Sequence, residues 1–288
     1  MDVLDLGRLK APVLIFGGPY SNLHATRSLF EETRSLDIPT ERIICNGDIV
    51  AYCGEPAETL SLITDWGIHC VMGNCEESLS AGAGDCGCGF DEGSLCSLLS
   101  DEWYQFASAE ITPEQRDWMG ALPRSIRFSI GDTRFAVIHG GVDNINEFLF
   151  PSSPAERKLD QLVASNTHCL IGGHSGLPFG EAIPCGDEDN EYRYWLNTGA
   201  IGMPANDGTT DGWYMVLEPD TAGAGIFVRW NRLKYDYAGA AETMATQGLG
   251  SAYSNALTTG LWPSMDVLPD AERSFQGRPL SPSPIRIG

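Results

Sequence analysis

Short apolar runs alternate with longer mixed segments through the first part of the chain. The apolar run at residues 12–16 ends in a glycine turn, and Ser21-Asn22 then supplies good N-cap residues for a helix over about residues 23–35. A second strand at residues 42–45 precedes a helix at residues 56–66, and a third strand follows at 69–72. Alternation of short strands with helices of this length predicts a layered α/β fold.

The pattern changes after the third strand. Residues 76–124 are rich in glycine and cysteine, with one helix near 113–121, and we predict a cap insertion within a single domain of residues 1–264. Residues 265–288 are rich in proline, serine and glycine, so an irregular tail is expected. Between these two regions the sequence predicts a hairpin turn at 131–132, a helix at 154–164 and strands at 125–130, 134–139, 168–172, 193–197, 213–218 and 225–230.

The charge balance excludes one large class of partners. Thirty-nine acidic residues against eighteen Lys and Arg give a formal net charge of −21. Affinity for a phosphate backbone comes mainly from cationic side chains, so bulk nucleic-acid binding is not expected. No apolar run approaches the roughly 18 residues of a membrane span, and residues 1–5 lack the basic-then-apolar order of a signal peptide. We therefore expect a cytoplasmic protein without a membrane partner.

Polar side chains stand where four apolar runs end. They are Asp48, Asn74, His139 and His174, each next to a glycine. The carboxyl ends of strands in layered α/β folds converge on one crevice, so these side chains are predicted to meet. Two imidazoles, a carboxylate and an amide oxygen suit a divalent transition metal such as Mn, Fe or Zn.

The order and separation of these residues carry a family resemblance. Gly47-Asp48, Gly73-Asn74, His139-Gly140 and Gly173-His174 resemble the second to fifth motifs of the calcineurin-like metallophosphoesterases, whose series runs D-x-H, G-D, G-N-H-[DE], H and G-H-x-H. Residues 197–204 resemble a segment of the YfcE-like and diadenosine-tetraphosphatase-like branch. The resemblance implies a four-layer α/β/β/α sandwich with two metal ions bridged by one carboxylate, and it matches Asp48 to that bridging group.

Departures from the family pattern fall on one of the two implied metal sites. Gly18 and Tyr20 stand where the first motif has Asp and His, and Gly176 replaces the second His of the last motif. We therefore expect one ion, with Tyr20 as a conceivable phenolate ligand of another. Cys75 replaces the histidine that assists the leaving group in the family, and a thiol can transfer a proton, ligate a metal or act as a nucleophile.

Nine cysteines, an odd number, argue against a secreted disulfide scaffold and for reduced thiols or metal ligands. Cys75, Cys86, Cys88 and Cys96 lie within 22 residues. Three interpretations stay open for this cluster: a structural zinc or iron–sulfur site, thiol chemistry, and free structural cysteines. One hypothesis is that the loop supplies a ligand that Gly18 and Gly176 cannot.

Two further polar groups have interpretations from the sequence alone. The pair Glu76-Glu77 is expected to be solvated surface, as acidic pairs usually are. Asn206 and Asp207 follow the glycine-rich 198–204 segment and are predicted to line the substrate entrance.

Three functions are compatible with these residues. The first is a metal-dependent phosphoesterase acting on a small phosphorylated metabolite or nucleotide with an altered, mononuclear centre. The second is an inactive pseudo-enzyme that binds a ligand or partner. The third is a hydrolase that uses the remaining metal for a different bond.

Overall fold

The computed structural model describes residues 2–186, 191–221, 223 and 225–288. Within these residues the chain forms twelve strands and nine α-helices. In chain order they are β1 (Val3–Arg8), β2 (Val13–Phe16), α1 (Leu23–Ser35), β3 (Ile43–Cys45), α2 (Pro56–Trp66), β4 (His69–Cys70), α3 (Asn74–Ala81), α4 (Leu95–Glu110), α5 (Pro113–Gly120), β5 (Ser125–Ile130), β6 (Thr133–Val137), α6 (Ala155–Ser165), β7 (Cys169–Gly172), β8 (Pro178–Pro184), β9 (Tyr192–Thr198), β10 (Gly212–Pro219), β11 (Ile226–Leu233), α7 (Tyr237–Thr246), α8 (Ser251–Thr259), α9 (Asp270–Arg273) and β12 (Ile285–Ile287).

The strands form two six-stranded sheets. The first sheet has the order β12-β11-β10-β2-β3-β4, and the second sheet has the order β1-β5-β6-β7-β9-β8. In the first, β2, β3 and β4 run parallel, and in the second, β6, β7 and β9 run parallel. Each sheet therefore presents several carboxyl-terminal strand ends at one edge.

Side chains of β2 show how the layers are built. Leu14 and Phe16 belong to an apolar cluster with Ala25 and Leu29 of α1, whereas Val13 and Ile15 face a second cluster formed between the two sheets. This is the alternation expected of a strand covered on both faces. A third cluster packs α6 against the outer face of the second sheet. The molecule is thus a four-layer α/β/β/α sandwich, and the predicted fold class is confirmed.

Helix α1 begins and ends at the predicted residues. The side-chain oxygen of Asn22 accepts a hydrogen bond from the Ala25 backbone N–H at 3.0 Å, which satisfies one of the free donors of the first turn. Helix α2 also has the predicted bounds and ends at Gly67, whose positive φ closes the helix.

The prediction for the C-terminal tail is wrong in two places. Residues 265–288 include the short helix α9 and the strand β12, which pairs antiparallel with β11 and extends the first sheet. Strands β1 and β8 and the helices α3, α4, α7 and α8 were also not predicted. In the region interpreted as a cap, Trp103 of α4 is fully buried against Tyr52, with ring centroids 5.1 Å apart.

Among the described residues, no helix is both long and apolar enough to span a membrane.

Candidate metal centre

Four predicted ligands lie at the carboxyl ends of strands from both sheets. Asp48 follows β3 and Asn74 opens α3 after β4, so both come from the first sheet. His139 follows β6 and His174 follows β7, which belong to the second sheet. The site therefore joins the two sheets at one edge of the sandwich.

The four side chains converge on the Nε2 atom of His139. This nitrogen lies 3.2 Å from Asp48 Oδ2, 3.0 Å from Asn74 Oδ1 and 3.1 Å from His174 Nδ1. Asp48, His139 and His174 each offer one ligand atom, and these three atoms all lie within 4.8 Å of one another. The predicted convergence is thus present in the described structure.

Hydrogen bonds at the far side of His139 and of Asn74 fix which of their atoms face inward. His139 Nδ1 lies 2.8 Å from the Asn46 carbonyl oxygen and must carry a hydrogen to bond it, which turns Nε2 toward the centre. Asn74 Nδ2 donates to the Cys86 carbonyl at 3.0 Å, so its Oδ1 faces the same point. Acceptor atoms therefore converge there, an arrangement that either a proton on His139 Nε2 or a bound metal cation stabilises.

The pKa values of the ligands follow the same electrostatics. Burial opposes protonation of His139, but the Asp48 carboxylate outweighs it and raises the pKa of His139. Burial would raise the pKa of Asp48, yet the two histidines hold it below its ordinary value. Burial and the neighbouring His139 lower the pKa of His174 to about 3, so His174 stays neutral with a free lone pair. A carboxylate, an amide oxygen and two imidazole nitrogens are a donor set that fits a divalent transition metal, which would displace any proton on His139 Nε2.

Glu76 is a functional residue that the sequence interpretation missed. It is fully buried, and its two carboxylate oxygens accept four backbone hydrogen bonds, from Asp48, Ile49, Val50 and Gly73. These bonds clamp the loop that carries Asp48 against the start of α3. Burial, and to a smaller extent the Asp48 charge, raise the pKa of Glu76 to about 7. The backbone N–H donors favour the ionised carboxylate and lower the pKa, but they do not offset this increase. The expectation of a solvated pair is wrong for Glu76, although its neighbour Glu77 is partly exposed and pairs with Arg124.

Two ligands sit in the left-handed backbone region. Asp48 has φ 54° and His174 has φ 58°, a conformation that costs a non-glycine residue free energy and is concentrated at functional sites. Gly47, which directly precedes Asp48, has φ 100°, and a Cβ on it would lie 2.7 Å from the Gly73 nitrogen. The loop can bring Asp48 to this point only because the neighbouring positions are glycines.

Comparison with known proteins agrees with this geometry. Residues 11–201 match the calcineurin-like phosphoesterase family. The chain belongs to this family. The uncharacterized protein MJ0912 of Methanocaldococcus jannaschii is 24% identical over 226 residues, which are 73% of this chain and 84% of that protein.

Two solved structures share the architecture of this calcineurin-like phosphoesterase. A metallophosphoesterase from Sphaerobacter thermophilus superposes with a TM-score of 0.66 at 22% identity, covering 88% of this chain and 100% of that one. The hypothetical protein PH1004 of Pyrococcus horikoshii OT3 gives a TM-score of 0.70 at 15% identity, covering 87% and 99%. At these identities both establish the fold alone.

Aromatic rings stand beside the two glycines that replace ligands in the family pattern. Gly18 has φ 53°, and a Cβ on it would lie 2.5 Å from the Tyr20 ring and 2.8 Å from Ala200. A Cβ on Gly176 would lie 3.4 Å from the Trp262 ring and 4.0 Å from the Tyr20 hydroxyl. The space in which a second set of ligands would have to fit is therefore bounded by Tyr20 and Trp262.

Tyr20 itself is a poor anionic ligand in this environment. Its side chain is buried, and burial together with the nearby Asp48 carboxylate raises the pKa of Tyr20 well above its ordinary value. The phenol keeps its proton at neutral pH, which argues against the phenolate that the sequence suggested.

Cys75 lies directly behind Asp48. Its backbone N–H is 3.3 Å from Asp48 Oδ1, and its side chain is almost fully buried. Burial and the Asp48 charge raise the pKa of Cys75 well above that of a free thiol. Without a thiolate the residue is a weak nucleophile, and its suggested catalytic part stays a prediction.

The cysteine cluster does not assemble as a metal site. Cys86 and Cys88 form a disulfide with each other, so neither offers a thiolate in this structure, and their use as ligands stays a prediction. Cys96 is a free, buried cysteine of α4 and belongs to no group of converging metal-binding side chains found among the described residues. The Cys86–Cys88 loop acts on the centre indirectly, through the carbonyl that orients Asn74.

Asn206 and Asp207 have internal partners. Asp207 accepts hydrogen bonds from Thr209, from the Leu280 N–H and from Arg232, which lies 2.9 Å away. Asn206 accepts a 2.8 Å bond from the Trp262 backbone N–H. These contacts account for both polar side chains, and their proposed place at the substrate entrance stays a prediction.

Proposed function

We propose that this calcineurin-like phosphoesterase hydrolyses a small phosphorylated metabolite or nucleotide with a single divalent metal ion. Asp48, Asn74, His139 and His174 would hold that ion. The observation that carries the proposal is the convergence of their four lone-pair atoms within about one coordination shell of His139 Nε2.

A divalent ion held by these four residues would supply positive charge to a phosphoryl group and would make water easier to deprotonate. The chain supplies the geometry. The Asn46 carbonyl fixes the tautomer of His139, and the carboxylate of Glu76 holds the Asp48 loop rigid. Tyr20 and Trp262 occupy the space beside Gly18 and Gly176 in which a second set of ligands would have to fit.

An inactive ligand- or partner-binding protein is the second candidate. One observation favours it: the position that assists the leaving group in the family holds Cys75, whose pKa is raised rather than matched to neutral pH. Hydrolysis of a different bond with the same ion is a third candidate, since the ligand set does not specify the substrate.

Elemental analysis paired with a screen of phosphomonoesters and phosphodiesters tests the proposal. We expect one equivalent of metal, and a His139→Ala variant should lose at least about a hundredfold in metal affinity together with turnover. His168→Ala is the matched control, because His168 stands at the opposite end of β7 from His174.

The outcomes separate the three candidates. Metal with phosphoester turnover, both lost in His139→Ala and kept in His168→Ala, supports the phosphoesterase. Metal without phosphoester turnover points to another bond or to binding alone. Protein that takes up no metal contradicts the proposal.

A further inference from the structure

An aromatic cavity opens beside His174. About 70 Å³ of it admits the centre of a water molecule, which is room for several waters and thus for a small group rather than a drug-sized ligand. His174 lines it together with six aromatic side chains: Tyr20, Tyr52, Phe90, Phe148, Tyr253 and Trp262.

The rings are held in place before any ligand arrives. Phe148 packs on the His174 imidazole with ring centroids 4.1 Å apart, and Tyr52 contacts Tyr20 and Tyr253 at 4.8 Å and 4.7 Å. The indole Nε1 of Trp262 donates to the Pro204 carbonyl at 2.6 Å. A preformed apolar wall of this kind lowers the ordering cost of binding a flat ring.

The walls carry no formal charge. Among the described residues that line the cavity there is no lysine, arginine, aspartate or glutamate. A divalent ion with Asp48 as its single carboxylate ligand would leave roughly one net positive charge at the inner end, and the Glu76 carboxylate bonded to the Asp48 N–H would reduce it further. Such a site offers at most one positive charge to a phosphoryl group, and the described cavity wall adds no side-chain cation for further phosphates.

We propose that the substrate is a phosphoester with a single negative charge and an aromatic group. The aromatic group enters this cavity, and the phosphoryl group faces the four ligands. A phosphodiester with one aromatic substituent fits both requirements, whereas a nucleoside polyphosphate does not. The orientation rests on the proposed function, because that function places the phosphoryl group at the metal ligands.

Hydrolysis of such a diester balances without a further reactant. Water supplies the new P–O bond and the P–O bond to one alcohol or phenol breaks. Of the two water protons, one goes to the released hydroxyl and one to the phosphomonoester product.

Three chromogenic substrates separate the two requirements. Bis(4-nitrophenyl) phosphate and methyl 4-nitrophenyl phosphate share a leaving group and a single charge and differ in one aromatic ring. 4-Nitrophenyl phosphate keeps the leaving group and carries a second negative charge. After correction for their uncatalysed rates, we expect kcat/KM for the bis-aryl ester to exceed that of the methyl ester by about tenfold. The dianionic monoester should be the poorest of the three.

Variants assign the preference to the cavity. Trp262→Ala and, independently, Tyr253→Ala should bring the ratio of bis-aryl to methyl ester toward one while metal content is kept. Phe275→Ala is the control, since Phe275 is 54% exposed and does not line this cavity. An unchanged ratio in both cavity variants, equal kcat/KM for the two diesters, or a preference for the monoester would overturn the proposal.

Calorimetric binding of diphenyl phosphate distinguishes failure of this inference from failure of the proposed function. One outcome is that no ester is hydrolysed, diphenyl phosphate binds more tightly than phenyl phosphate, and Trp262→Ala abolishes the difference in affinity. That outcome supports binding of aromatic diesters in the cavity and refutes the hydrolytic function. If esters are hydrolysed and diphenyl phosphate shows no such advantage, the hydrolytic function stands and the inference about its substrate is refuted.

Discussion

Replacing Glu76 by glutamine tests how the Asp48 loop is held. Glutamine keeps the size of the side chain but turns one of the two acceptor oxygens into an NH₂ donor. In the structure, one oxygen accepts from Ile49 and Val50 at 2.8 Å and 3.2 Å, and the other from Asp48 and Gly73 at 2.8 Å and 2.9 Å. Whichever way the amide turns, two buried N–H groups lose their acceptor.

The magnitude follows from those two donors. A buried donor left without a partner costs about 1–3 kcal/mol, so Glu76→Gln should lower the free energy of unfolding by about 2–6 kcal/mol. Glu77→Gln changes the next residue in the same way, but it removes a partly exposed ion pair with Arg124 and should cost less than about 1 kcal/mol.

The assay is equilibrium unfolding in urea, followed by tryptophan fluorescence, with a chelator present so that metal affinity does not contribute. Glu76→Gln should shift the midpoint far more than Glu77→Gln at a similar slope. Equal shifts for the two variants would refute the assignment of Glu76 as the clamp of this loop.

Three further predictions concern the neighbours of the site. Gly18→Asp should not create a second metal site, because Gly18 has a φ of 53° and an added Cβ would lie 2.5 Å from the Tyr20 ring. We expect the substitution to lower the free energy of unfolding by about 1–3 kcal/mol, with metal content still at one equivalent by elemental analysis. A second equivalent of metal would contradict this. Burial and the Asp48 charge raise the pKa of Cys75, so in native protein iodoacetamide should label the partly exposed Cys185 well before Cys75. Equal labelling rates of the two thiols by mass spectrometry would contradict this prediction. Burial alone would raise the pKa of Asp207, but hydrogen bonds from Thr209, the Leu280 N–H and Arg232 lower it below its ordinary value. The ionised Asp207 carboxylate therefore stabilises the fold above the unfolded pKa of about 4, and this stabilisation is lost as the pH falls through the lower folded pKa. The gap in urea midpoint between wild type and Asp207→Asn should therefore narrow below about pH 4, with KM unchanged at neutral pH, and a gap independent of pH would contradict the assignment.

The four ligands could be predicted because local signals mark them. Each follows a short apolar run and stands beside a glycine, and parallel strands bring such ends to one edge whatever the details of packing. Helices α1 and α2 were predictable for a similar reason, since their caps and apolar spacing lie within the segments themselves.

What the sequence did not reveal depends on contacts between distant segments. Glu76 has an equally acidic neighbour, and only the fold decides that one of them turns inward under the Asp48 loop. Trp262 reaches the site from beyond α8, through contacts with Pro204 and Asn206 that no local pattern encodes. Strand β12 has three residues, too few for a period of two to be recognised, and it forms by pairing with β11.

Anomalous X-ray scattering from crystals grown or soaked with Mn²⁺ or Zn²⁺ tests the central claim most directly. We predict one peak at roughly 2.0–2.3 Å from Asp48 Oδ2, Asn74 Oδ1, His139 Nε2 and His174 Nδ1. Crystals that show no peak there, or a second peak of equal height between Tyr20 and Gly176, would contradict a mononuclear centre built from these four residues.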